Sequence, residues 1–275
     1  MTILFIKAAL LALIQGLAEF LPISSSGHLV LVQELFALEE PEVFFDLILH
    51  LGTLTAVVYF YRTEVLGMIF ELKHLFSPAT LVVSYRTRPL FRLGVMIVIG
   101  SIPTAAIGYF FEDTLTNMFS SIRTVGIDLF ITAGFLLIAF FFKDSKIKTE
   151  LEFPAYLALA IGLIQGLAIA PGLSRSGLTI SLAIILGCDR ILAARYSFLL
   201  SIPAILGGLL LKLPSASQSV FPANVTLVGF ALAAIFGYLA LRILNNILVQ
   251  DRFYVFAPWC VLMGLLAIYL SYFPL

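Results

Sequence analysis

Charge is what this 275-residue chain has least of: 12% of its residues are Asp, Glu, Lys or Arg, about half the share of a soluble globular domain. So few charges cannot cover a water-facing surface, which excludes a soluble enzyme and a disordered tail. Cysteine is scarce as well. Cys188 and Cys260 sit in or beside apolar segments, too few for a secreted disulfide scaffold. The three histidines, His28, His50 and His74, show no zinc-ligand spacing with them. The formal net charge is zero, so no nucleic acid is expected as a partner. Apolar residues are abundant: 61% of the chain is hydrophobic and the mean hydropathy is +1.09. These numbers point to an all-α polytopic membrane protein.

A spanning helix needs roughly 20 apolar residues, and six stretches qualify: 43–61, 90–111, 122–142, 196–212, 225–243 and 253–273. Two longer stretches, 2–38 and 153–187, are broken near their middles by Leu21-Pro22-Ile23-Ser24-Ser25-Ser26-Gly27-His28 and by Ala170-Pro171-Gly172-Leu173-Ser174-Arg175-Ser176-Gly177. Each is either a re-entrant helix-loop-helix or two full spans joined by a polar loop. The re-entrant reading is preferred, because irregular backbone at membrane depth is tolerated where protein buries it. The apolar N-terminus runs on into Gln15 and Glu19 without a small-residue cleavage site, so it is read as retained.

With the re-entrant pairs not crossing, segments 62–89, 143–152, 188–195 and 244–252 share one side and hold Arg62, Lys73, Arg86, Arg88, Lys143, Lys146, Lys148, Arg190, Arg195 and Arg252. The other side holds 39–42 (Glu39, Glu40, Glu42), 112–121 (Glu112, Asp113) and the uncharged 213–224. The basic side is expected to be cytoplasmic, with both termini outside. Segment 64–76 is read as an interfacial helix, with a seventh span as the alternative.

The broken segments match at an offset of 150: Gln15-Gly16-Leu17-Ala18 with Gln165-Gly166-Leu167-Ala168, and Ser24, Ser26 and Gly27 with Ser174, Ser176 and Gly177. An echo at 151 relates Phe45-Asp46-Leu47-Ile48-Leu49 to Tyr196-Ser197-Phe198-Leu199-Leu200. The chain thus reads as one membrane domain, 1–275, made of two halves, 1–142 and 153–275. Three spans per half is odd, so the halves form an inverted-topology repeat whose broken tips meet near the midplane.

Glu19, His28 and Arg175 sit beside those tips. A charged group at bilayer depth costs about 2.5–3.5 kcal/mol, so three together suggest function; a buried Glu–Arg pair pinning the halves together is the plainer alternative. New helices are expected near His28 and Leu178, and helix N-termini suit a phosphate. Arg175 adds a fork for phosphate oxygens, and Gly27 and Gly177 permit close backbone approach. Ordinary N-capping accounts for one serine per helix, not three. Gln15 and Glu19, four apart, share a helix face. A carboxylate there can be a general base or a metal ligand, and a serine or His28 a nucleophile. A transporter or flippase for an anionic lipid carrier is the rival reading.

The run from Gln15 to His28 and the run Pro171-Gly172-Leu173-Ser174-Arg175-Ser176-Gly177-Leu178-Thr179 resemble the two signature motifs of the undecaprenyl-diphosphatase (bacitracin-resistance) family, and the segments after each also fit, so the resemblance covers essentially the whole chain. It implies a phosphatase of the cell (inner) membrane that converts undecaprenyl diphosphate to undecaprenyl phosphate, the carrier recycled for cell-wall polymers. Its site would open to the outer side. Bacitracin would compete for the lipid substrate, not for the protein, and a homodimer stays open. By motif position, Glu19 is the essential acid, Ser25 the favoured nucleophile with Ser24 beside it, His28 an acid/base or rival nucleophile, and Arg175 the phosphate clamp. Ser26, Gly27, Ser174, Ser176 and Thr179 would support substrate binding. A divalent cation, Mg²⁺ or Ca²⁺, would be held by Glu19 and the diphosphate. Gln15 stands where the family motif carries a first acid, so Asp46 is either the second carboxylate or an acid near the outer interface. His50 is expected in packing or a polar network.

Overall fold

A computed structural model describes residues 2–35, 43–76, 78–111, 114, 121–142, 144–212 and 221–273. The acids Glu39, Glu40, Glu42, Glu112 and Asp113, together with Lys143 and 213–220, lie outside the described residues. The helices are α1 (Thr2–Phe20), α2 (Ser25–Leu35), α3 (Val43–Phe60), α4 (Arg62–Glu71), α5 (Pro78–Thr87), α6 (Pro89–Phe110), α7 (Ile122–Phe140), α8 (Ala155–Leu167), α9 (Arg175–Ile185), α10 (Arg190–Lys212), α11 (Ala223–Val249) and α12 (Ala257–Tyr272). Short 3₁₀ turns follow α4 and precede α12.

Among the described residues five helices are long and apolar enough to cross a membrane: α6, α7, α10, α11 and the Phe253–Tyr272 segment ending in α12. A sixth is reached if α3 and its bent continuation count as one. Val98, Ile102, Phe110, Leu227 and Leu262 are exposed on these helices, as suits a surface solvated by lipid.

Several element ends differ from the sequence expectation. Arg190 and Arg195, expected in a loop at 188–195, lie inside α10. The Asp189 carboxylate accepts the Ile191 and Leu192 N–H groups at 3.0 and 3.2 Å, and this cap starts the helix early. The expected loop 244–252 is mostly α11, which ends before Asp251 at φ 59°. Within 62–89 the helix expected at 64–76 is present as α4 with its 3₁₀ turn to Phe76, and α5 is an additional helix. The α4 continuation departs from α3 at 77°, and its ten-residue α-helical part is about 15 Å long. The tip helices begin at Ser25 and Arg175, a turn earlier than His28 and Leu178. Ser24 and Ser174 are the caps, accepting the Gly27 and Gly177 N–H groups at 3.1 Å each.

The two halves pack reciprocally. α1 lies along α11 and α8 lies along α6, while α7 pairs with α12. Small residues permit the approach: a Cβ on Gly162 would stand 2.0 Å from the Gly100 carbonyl oxygen. Thr104 Oγ1 also donates to the Gly162 carbonyl at 2.8 Å. The α7–α12 pair is antiparallel, with Phe140 against Tyr254 at one end and Arg123 over Tyr272 at the other. Leu31 of α2 packs with Ala267, Leu270 and Ile122 near the second end. Ile184 of α9 lies with Ala139, Phe140 and Tyr254 near the first. From the breaks, α2 and α9 therefore lead in opposite directions.

Candidate active site

The two breaks touch. A Cβ on Gly27 would stand 3.1 Å from the Gly172 Cα, and Ser176 Oγ donates to the Leu21 carbonyl at 3.3 Å. Gly172 has φ +99° and its missing Cβ would fall 2.5 Å from the Val125 carbonyl oxygen, so only glycine fits that turn. Ser24 holds a left-handed φ of 70°, an uncommon state for a residue with a side chain.

At this junction Glu19 Oε1 accepts from Arg175 Nη2 at 2.6 Å. Its other oxygen accepts from Ser25 Oγ at 2.8 Å and from Gln15 Nε2 at 2.9 Å. Both charged side chains are largely buried, 8% exposed for Glu19 and 14% for Arg175. Neither stands where helix electrostatics would put it. Glu19 is in the last turn of α1, at the negative end of the dipole, and Arg175 is the first residue of α9, at the positive end. Each offsets the other's unfavourable placement, and such local conflicts mark functional sites. Two further atoms are left buried without a hydrogen-bond partner, Arg175 Nη1 and Gln15 Oε1. Buried polar groups are normally satisfied; Gln165 Oε1, the counterpart of Gln15 in the second half, is unpartnered as well.

The serine clusters divide by role. Ser25 and Ser26 are half-buried, whereas Ser24, Ser174 and Ser176 are buried. Ser26 Oγ lies 3.4 Å from Ser24 Oγ, and Ser174 Oγ 3.3 Å from Ser176 Oγ. Ser174 N–H donates to Thr132 Oγ1 at 3.0 Å. Thr179, expected to support substrate binding, is turned into the protein: it donates to the Arg175 carbonyl at 2.7 Å and pairs with Ser197 at 2.6 Å. His28 is engaged by Ser24 and Trp259 rather than by the carboxylate cluster.

His50, expected in packing or a polar network, is brought by the fold to the cluster itself, its Nε2 3.9 Å from Glu19 Oε2. Its Nδ1 bonds the Asp46 backbone carbonyl at 2.8 Å, and no spacing along the chain marks its approach to Glu19. Asp128, which no motif marks, is 6% exposed on α7, its Oδ2 unpartnered, with its Cβ 2.8 Å from the position a Gly172 Cβ would take. A lone acid inside an apolar span was the signal for it. No group of three or more His, Cys, Asp or Glu able to hold a metal occurs among the described residues.

The second half supplies Arg175 to the cluster but lacks the acid and the histidine of the first. Gln165 corresponds to Gln15, but Ile169 and Leu178 stand where Glu19 and His28 stand in the first half. Gln165 Nε2 instead donates to Thr104 Oγ1 at 3.2 Å.

The sequence profile of the family described as "Bacitracin resistance protein BacA" matches residues 8–266. A protein of Desulfosudis oleivorans named undecaprenyl-diphosphatase is 42% identical over 268 residues, 94% of this chain and 96% of that one. One of Desulfatibacillum aliphaticivorans with the same name is 41% identical, over 94% and 96%. One from Methanosphaera stadtmanae, again so named, is 38% identical over 97% and 98%.

Proposed function

The chain belongs to the BacA family of bacitracin resistance proteins, and we propose that, as a membrane phosphatase of that family, it cleaves the terminal phosphoanhydride bond of undecaprenyl diphosphate. The products are undecaprenyl phosphate and inorganic phosphate. The observation that carries this reading is one carboxylate bonded at once to a hydroxyl, Ser25 Oγ at 2.8 Å, and to a guanidinium, Arg175 Nη2 at 2.6 Å, whose other terminal nitrogen is buried and unpartnered. A lipid carrier pathway alone has no use for a hydroxyl held by a base, which favours hydrolysis over transport.

In the proposed reaction Ser25 Oγ attacks the terminal phosphorus while its proton passes to Glu19 Oε2. The bond from that phosphorus to the bridging oxygen breaks, and undecaprenyl phosphate leaves. Water then attacks the phosphoserine phosphorus as its bond to Ser25 Oγ breaks; Glu19 returns its proton to Ser25 Oγ, and phosphate leaves with the water's hydroxyl while the second proton of the water passes to solvent. Arg175 Nη1 and the first-turn N–H groups of α2 and α9 take up charge on the equatorial oxygens. His50, at the edge of the cluster, adds a polar contact beside Glu19.

The residues also fit a divalent cation carried in by the diphosphate. Mg²⁺ uses one or two carboxylates together with phosphate oxygens and water, and the unpartnered Gln15 Oε1 beside Glu19 supplies an oxygen of the right kind. Such an ion would neutralise the diphosphate charge.

In this reading the breaks are the tips of two re-entrant segments entering from opposite leaflets in an inverted repeat, which the opposite courses of α2 and α9 support. The basic loops face the cytoplasm and the cluster faces outward between α1 and α3. Carrier recycling for cell-wall synthesis and bacitracin resistance, through loss of the lipid that bacitracin binds, are the cellular consequences. The test is phosphate release from undecaprenyl diphosphate by the purified protein in detergent, together with mapping of a trapped phosphorylated residue. Phosphate release that survives in Ser25→Ala, Glu19→Ala and Arg175→Ala alike overturns the assignment.

A further inference from the structure

The sequence places His28 beside the catalytic groups, where acid, base and nucleophile are all open to it. The structure restricts that choice. His28 is 8% exposed. Its Nδ1 lies 2.8 Å from the Ser24 carbonyl oxygen, which only accepts, so Nδ1 carries the proton. Its Nε2 lies 2.9 Å from Nε1 of Trp259, and the indole N–H only donates, so Nε2 offers its lone pair. The two ring planes are within 7° of each other with centroids 6.0 Å apart. That edge-to-edge arrangement is what an in-plane N–H···N bond requires, since both the indole N–H and the imidazole lone pair lie in their ring planes.

The neighbour of Trp259 grips the same turn, with Cys260 Sγ donating to the Pro22 carbonyl at 3.4 Å. The first turn of α12 therefore holds the 21–24 turn at both ends. What it holds is a conformation that needs support: Ser24 at φ 70° caps α2 and immediately precedes Ser25, the hydroxyl on Glu19.

We propose that Trp259 is a positioning residue of the active site: its N–H fixes His28 as the neutral Nδ1–H tautomer, and His28 in turn fixes the Ser24 turn that aims Ser25 at Glu19. Both imidazole nitrogens are used in this arrangement, so His28 is neither the nucleophile nor the proton carrier. The inference rests on the diphosphatase reading for its kinetic consequence but not for the bond itself.

The experiment uses the full-length protein in detergent and has two arms. Trp259 is the single tryptophan of the chain, so its emission reports on the bond directly. His28→Asn, which keeps a donor toward Ser24 and removes the acceptor for the indole, is expected to change the emission wavelength and intensity. Emission identical to wild type in both His28→Asn and His28→Ala overturns the proposal. In the kinetic arm Trp259→Phe keeps the ring and loses the donor. It is expected to lower kcat by about 3- to 10-fold, the worth of one ordinary hydrogen bond, with KM unchanged. His28→Asn is expected to fall by no more than about 10-fold. A loss of roughly 100-fold or more, the scale of general acid–base catalysis, puts His28 on the proton path and overturns the proposal, as does a phosphohistidine at His28. A wild type that releases no phosphate fails the diphosphatase reading, while the emission arm still decides the bond.

Discussion

Replacing Arg175 by lysine separates two roles that the native guanidinium performs at once. Nη2 holds Glu19 at 2.6 Å, and Nη1 is buried with no partner of its own. A lysine ammonium keeps the positive charge and can reach the carboxylate, but it has no second nitrogen in fixed fork geometry. The substitution thus removes a charge-assisted hydrogen bond to the reacting phosphoryl group, worth about 1.5–3 kcal/mol. In kcat/KM this is roughly a 10- to 150-fold decrease. Arg175→Ala differs in kind. It leaves a carboxylate only 8% exposed without its counter-charge, and breaking a buried pair this way costs about 3–5 kcal/mol of stability. Glu19→Gln in the same chain removes the orphaned charge and restores the melting temperature without restoring activity. The assays are phosphate release from undecaprenyl diphosphate and thermal unfolding, both in one detergent. Arg175→Lys indistinguishable from wild type, or an Arg175→Ala protein that melts normally, refutes the reasoning.

Other positions give independent checks. Gly162→Ala places a methyl group 2.0 Å from the Gly100 carbonyl oxygen and is expected to cost about 1–3 kcal/mol or more by forcing α6 and α8 apart. Gly134→Ala, with nothing within 4 Å, is expected to be neutral or to gain about 0.5–1 kcal/mol of helix propensity; thermal unfolding compares the two. Ser24→Asn keeps a capping oxygen and tolerates positive φ, so it retains activity in the phosphate-release assay, whereas Ser24→Val loses both and about 1–3 kcal/mol of stability. Burial, with Asp189 and Glu150 nearby, pushes the Cys188 thiol up to about 12. It therefore stays protonated at pH 8 and resists maleimide until the protein is denatured; rapid native labelling of a Cys260→Ala variant contradicts this.

Composition alone fixed the class, because no fold can hide 61% hydrophobic residues behind 12% charge in water. The internal match at an offset of 150 marked both broken segments, and Pro, Gly and Ser there are residues that interrupt helices for local reasons. Element ends were less legible. Arg190 and Arg195 have the pattern of loop charges, since the Asp189 cap that draws them into a helix is a matter of hydrogen-bond geometry. Nothing in the spacing around Trp259 marks it, because its partner lies 231 positions away. The residue types of the site, Glu19, Ser25 and Arg175, were set by the chain itself. That they share one carboxylate, that His50 joins them while Thr179 turns away, and that His28 answers to Trp259 followed only from packing. Such contacts depend on how α1, α3, α9 and α12 are brought together in space, and spacing along the chain does not encode that.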